Sequence, residues 1–126
     1  MLEAYAASID AALRSCIAIA THSLHIVQLS PNTGYIEGEA LMADGSRLVF
    51  FEVLHQKEQA LVREKYRYHY MDTDNQLIFR YDNAPHHPEV ATFPHHKHTS
   101  LDVAESAEPI LTTVLAEVEK EILGLP

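Results

Sequence analysis

The chain has 126 residues, of which 47% are hydrophobic, and a formal charge of -9 from 18 acidic and 9 basic side chains. That apolar share offsets chain entropy and excludes disorder, and the length suits a single domain over residues 1–126. The single cysteine, Cys16, can form no intrachain disulfide and is too little for a thiolate zinc site, while the acidic charge argues against coating nucleic acid by bulk attraction.

The longest stretch without Asp, Glu, Lys or Arg, from Ser15 to Ile36, contains His22, His25, Gln28 and a Pro31-Asn32-Thr33-Gly34 turn, so no membrane span is expected. Met1-Leu2-Glu3-Ala4 lacks the basic leader of a secretory signal, and a cytoplasmic protein is expected. The negative charge is unevenly spread. Residues 57–98 hold six cations (Lys57, Arg63, Lys65, Arg67, Arg80, Lys97) against six anions (Glu58, Glu64, Asp72, Asp74, Asp82, Glu89), together with six of the nine histidines. This window is far less hostile to a phosphate than the rest of the chain.

Leu2, Tyr5, Ile9, Leu13 and Cys16 recur at three- and four-residue steps and predict an amphipathic helix over 2–15. Alternating residues from Cys16 to Leu29 predict a first strand. Asp44-Gly45 predicts a two-residue hairpin loop between strands 35–43 and 46–55. Its register would set Ile36 beside Val53, Ala40 beside Val49 and Glu37 beside Glu52 on a solvated face. Leu48, Phe50, Leu54 and Ile78 would then lie on the second face, where another copy of the chain could cover them as a homodimer. A tight connection over 54–59 would bring Val53 to Val62 and Glu52 to Arg63.

A second two-residue loop within Asp72-Thr73-Asp74-Asn75 would pair strands 60–70 and 76–82, with Tyr70 opposite Leu77, Tyr68 opposite Phe79 and Tyr66 opposite Tyr81 in the core. Arg67 would face Arg80 and Lys65 would face Asp82 on the other side. Residues 83–105, with Pro85, Pro88 and Pro94 and no sustained periodicity, read as a long ordered loop or functional flap. Ser106 as N-cap, Pro109 in the first turn and an apolar stripe from Ile110 to Ile122 predict a helix ending at Gly124. The fold class is therefore α+β, an antiparallel β-meander of about five strands with an N-terminal and a C-terminal helix packed on one face.

Pro85-His86-His87-Pro88 and His95-His96-Lys97-His98 place five imidazoles within thirteen residues. Imidazole both transfers protons near neutral pH and binds transition metals, so two chemistries compete for the same side chains. As a metal site, His86, His87, His96 and His98 could hold a divalent ion, with Asp82, Glu89 or Asp102 completing it, but Lys97 would place a cation among the ligands and no helical zinc motif or Cys pair is present. As an acid–base site acting on a phosphodiester without metal or other cofactor, His69, His96 and His98 would move protons. Arg67, Arg80 and Lys97 would bind phosphate, with Asp82 and His95 in support. The facing Arg67 and Arg80 would need an anion between them, which a phosphate or Glu52 or Glu39 of a static ion network could supply. Tyr66, Tyr68 and Tyr70 read as packing, and Glu37 and Glu52 as solvated sheet residues.

The runs Tyr68-His69-Tyr70, Leu77-Ile78-Phe79-Arg80-Tyr81-Asp82-Asn83-Ala84-Pro85-His86-His87-Pro88-Glu89 and Phe93-Pro94-His95-His96-Lys97-His98 resemble the TumE-like toxins of prokaryotic toxin–antitoxin pairs. The resemblance is strongest over residues 66–98 and implies growth inhibition relieved by a cognate antitoxin protein; it assigns no reaction. Three functions follow for test: a toxin with ribonuclease-type activity on RNA, a non-catalytic protein-binding module, and a His-loop metal protein.

Overall fold

A computed structural model describes residues 2–124. Helix α1 (Leu2–Ser15) is followed by strands β1 (Ile19–Ser30), β2 (Thr33–Met42), β3 (Arg47–Lys57), β4 (Ala60–Met71), β5 (Leu77–Asp82), β6 (His96–Thr99) and β7 (Val103–Glu105), then helix α2 (Leu111–Leu123). The strands form one antiparallel sheet in chain order, so every connection joins neighbours, by a hairpin or short loop except for the longer segment 83–95 between β5 and β6. The α+β class and the two terminal helices are as expected; the meander has seven strands, not five. The two additional strands fall inside the expected flap, where four and three residues pair without any apolar alternation to announce them.

Both helices bury their stripes against one face of the sheet. Ala6, Ile9 and Leu13 of α1 and Leu111, Val114, Leu115 and Val118 of α2 share one core with Ile36, Leu48, Phe50, Leu54, Tyr66, Tyr68, Tyr70 and Phe79. Burial of these large side chains is the main stabilising term, at about 25 cal/mol per Å² of apolar surface. Gly38 lies opposite Phe50 in the β2–β3 ladder, and a Cβ added there would sit 2.3 Å from Phe50 Cζ. The ring occupies the space a side chain would need.

The β2–β3 register differs from expectation by one residue: Ile36 pairs with Glu52, Ala40 with Leu48 and Glu37 with Phe51. The cause is the turn. Met42 N–H donates to Ser46 O at 2.8 Å, closing a three-residue loop, and Gly45 takes φ +88° at its third position. An odd slip exchanges faces, so Leu48, Phe50 and Leu54 are core and Glu52 is buried among them rather than solvated. The apolar surface that suggested a homodimer is thereby covered by this chain's own helices.

The β4–β5 register differs by two. Tyr68 pairs with Tyr81, Tyr70 with Phe79, His69 with Arg80 and Arg67 with Asp82. Asp72 N–H donates to Gln76 O at 2.9 Å, Asn75 adopts φ 63°, and a bulge follows at Tyr70/Met71. An even slip preserves faces, so the tyrosines remain core, but Arg67 stands opposite Asp82 in the ladder instead of opposite Arg80. The β3–β4 pairing also shifts, with Val53 opposite Lys65 and Leu54 opposite Arg63, because Glu58 and Gln59 alone form the turn and a bulge follows at Val53/Leu54. At the C-terminal helix, Ile110 rather than Ser106 occupies the N-cap, Pro109 precedes it, and Thr113 Oγ1 donates to Ile110 O at 2.8 Å. Gly124 ends the helix in the left-handed region, as expected.

Candidate functional site

Strand alternation sends every second residue of β4, β5 and β6 away from the helices, and the registers stack these residues in two cross-strand rows. Arg67, Asp82 and His96 form one row; His69, Arg80 and His98 form the next. Side chains opposed in this way are neighbours about 5 Å apart. The loop after β5 closes over them, and the result is a cleft of about 460 Å³ whose lining includes Lys65, Arg67, His69, Arg80, His87 and His98.

The loop is built by local bonds. Asn83 Oδ1 accepts from Tyr66 N–H at 3.0 Å while its Nδ2 donates to Glu64 O at 3.0 Å, extending the β4 edge by one side-chain rung. Turns then follow through His86 N–H to Ala84 O and Val90 N–H to His87 O, and Val90 buries its side chain. The histidine-rich segment is therefore held in place at both ends.

Asp82 is the centre of the cluster. Its Oδ1 lies 2.9 Å from His96 Nε2 and accepts from Ala84 N–H at 3.0 Å; its Oδ2 accepts from Arg80 Nε at 3.2 Å and lies 3.6 Å from His98 Nε2. His96 is buried and its Nδ1 donates to Pro94 O at 2.8 Å. Both of its nitrogens thus face protein oxygens, Nδ1 the Pro94 carbonyl and Nε2 the Asp82 carboxylate. His87 Nδ1 lies 3.0 Å from Glu89 Oε1. The rings of His87, His96 and His98 meet edge to face, with centroids 4.8, 5.0 and 5.3 Å apart.

His69 is different. Among the described residues its Nδ1 is buried with no hydrogen-bond partner, so no neighbour fixes the ring's tautomer. Burial, then the charges of Arg80, Arg67 and His98, hold its pKa below the ordinary imidazole value, which keeps it a neutral proton acceptor. His98 is also lowered, by burial first, with the Asp82 carboxylate opposing. Arg67 and Lys65 are exposed at the mouth, where Arg67 also lies over the Phe51 ring at 5.8 Å.

Two expected members lie elsewhere. Lys97 falls between His96 and His98 on a strand, so alternation turns it to the helix side, where Nζ bonds Glu117 Oε2 at 2.6 Å and sits over the Phe79 and Tyr81 rings. It is a strut between sheet and α2 and not a phosphate ligand. His95 leaves the cleft as well: it stacks on Tyr66, with ring centroids 5.7 Å apart, and its Nδ1 bonds the Tyr66 hydroxyl at 2.8 Å. His86 lines the cleft outside the group of three converging imidazoles. Lys65 was not among the expected site residues, although its position two residues before Arg67 on the same strand puts it on the same face; of the carboxylates expected to complete a metal site, Glu89 bonds His87 and Asp102 bonds Thr99.

A sequence model of the toxin TumE family matches residues 9–123. The chain belongs to the toxin TumE family. The likeness carried by residues 66–98 thus extends from the second half of α1 through the full sheet and α2. Comparison with curated proteins and with solved structures gave no match. No described helix of the toxin is long and apolar enough to cross a membrane.

Proposed function

We propose that this toxin acts on RNA and that the β4–β5–β6 cleft is where it does so. The observation that supports the reading is the convergence, on the face free of helices, of the Lys65, Arg67 and Arg80 cations with an imidazole, His69, that no neighbour pins. The cations would receive a phosphodiester and stabilise the charge that accumulates on it during attack. His69 would accept the proton of the attacking hydroxyl, since its lowered pKa leaves it neutral at physiological pH. The leaving oxygen would take its proton from solvent in the open cleft, while Asp82, with His96 and His98 beside it, would hold the Arg80 side chain in place. Family membership points to an antitoxin partner, and the acidic charge of -9 favours a basic contact surface on it.

The test is cleavage of total RNA and of transfer RNA by purified, untagged protein. Wild type should yield discrete products, and His69→Ala should slow their appearance by about 10²- to 10⁴-fold, the usual contribution of a proton-transfer group. Absence of products from wild type, or equal rates from the variant, would overturn the reading. Growth inhibition that persists in the variant would favour a non-catalytic docking role for the same loop.

A further inference from the structure

We infer that His87, His96 and His98, with Asp82, form a binding site for one divalent transition metal ion of the zinc class. Three observations carry this. First, one ligand nitrogen from each of the three imidazoles lies within 4.8 Å of the others. Second, His96 and His87 each use Nδ1 on an oxygen that can only accept, the Pro94 carbonyl and the Glu89 carboxylate. Each Nδ1 therefore carries hydrogen, and in the neutral ring Nε2 presents its lone pair. This is the arrangement by which proteins orient imidazole ligands for a metal. Third, His96 Nε2, which carries a lone pair when that ring is neutral, faces Asp82 Oδ1 at 2.9 Å, and His98 Nε2 lies 3.6 Å from Oδ2. Lone pairs directed at a carboxylate repel one another unless positive charge lies between them.

A tetrahedral ion with bonds of about 2.0–2.1 Å spaces its ligand atoms about 3.3 Å apart, and the 2.9 and 3.6 Å separations bracket that value. A single proton on His96 would satisfy the His96–Asp82 pair. It would not account for the convergence of His87 and His98. The sequence-level objection, a lysine among the ligands, is removed because Lys97 points to the other side of the sheet. Three imidazoles and one carboxylate, without thiolate, suit Zn²⁺, Co²⁺ or Ni²⁺ rather than Mg²⁺ or Ca²⁺. The ion would lie beside Arg80 and add positive charge to the same cleft, but its binding does not require RNA to be the substrate.

The experiment is calorimetric titration of chelator-stripped, untagged full-length protein with ZnCl₂, alongside CoCl₂ titration followed by visible absorption. One ion per chain is expected, with a raised Tm and the intense absorption of tetrahedral Co²⁺. His87→Ala and His98→Ala, both partly exposed and less disruptive than a change at buried His96, should each weaken binding at least tenfold, and Glu89→Gln should weaken it by about tenfold. His25→Ala, on distant β1, should bind as wild type does. Absence of saturable binding, or equal affinity in the His87 and His98 variants, would overturn the site. RNA cleavage run on the same samples separates the two readings: a protein that binds one ion through His87 and His98 but cleaves nothing retains this inference and loses the other.

Discussion

Glu52 and Asp82 are both buried carboxylates, two strands apart in one sheet, and they face opposite sides of it. Glu52, on the helix-covered side, accepts hydrogen bonds from the Tyr5 and Tyr68 hydroxyls, and Arg63 bonds Tyr68 in turn. Burial first, and the Glu52 charge second, push both tyrosine hydroxyls far above the ordinary phenol range. Every group there is enclosed and partnered, and the cluster ties α1 to the sheet. Asp82 holds Arg80, His96 and a backbone N–H, yet its neighbours open onto a cleft that contains an imidazole nitrogen without a partner among the described residues. The same residue type thus serves cohesion under the helices and chemistry where the helices stop. A partnered network lowers the energy of the fold; an incomplete one costs stability and is kept where a ligand completes it.

The comparison breaks most sharply if the open side matters to stability and not to activity. Arg80→Ala should slow RNA cleavage by about 10²-fold or more, the usual cost of one donor to developing charge, while its urea midpoint stays near wild type because the guanidinium is partly exposed. Glu52→Ala should do the reverse, costing about 3 kcal/mol in urea unfolding through two lost hydrogen bonds to a charged acceptor and two stranded phenols. A Glu52→Ala protein as stable as wild type would remove the distinction.

Gly38→Ala sharpens the account of the covered face. Its new Cβ must displace the Phe50 ring, at about 1–3 kcal/mol by the same measurement. The smallest effect concerns Cys16, whose Sγ–H donates to Glu119 at 3.0 Å. Burial, then this hydrogen bond, push its thiol up to about 11. Since the folded value lies above the ordinary 9.0, the neutral thiol contributes stability below that pH and loses it as pH climbs toward about 11. Alkylation of native protein should therefore stay far slower than that of unfolded protein near pH 9; equal rates would contradict the packing at the helix–strand junction.

Much of this arrangement is legible in the residues because hydrophobic periodicity is strong in α1, α2 and β2 to β5. Registers are less legible, since one loop residue decides them. Gly45 and Asn75 each adopt the left-handed conformation at the end of a three-residue loop, one residue longer than the two-residue turns at Asp44-Gly45 and Thr73-Asp74 that the expected registers required. The consequence depends on parity. The one-residue slip at β2–β3 moved Glu52 from solvent to core, whereas the two-residue slip at β4–β5 left Arg67, His69 and Arg80 together on the cleft side. Lys97 was misjudged because His96–Thr99 lacks any apolar alternation that reads as a strand. Once it is a strand, His96 and His98 must share one face and Lys97 must take the other.

The most direct measurement is growth of cells induced to express the chain without its antitoxin, comparing wild type with the Arg67→Ala/Arg80→Ala double variant at matched soluble yield. If the cleft is the site of action, wild type arrests growth and the double variant does not. Arrest of equal depth by both would place the toxic activity elsewhere on the molecule.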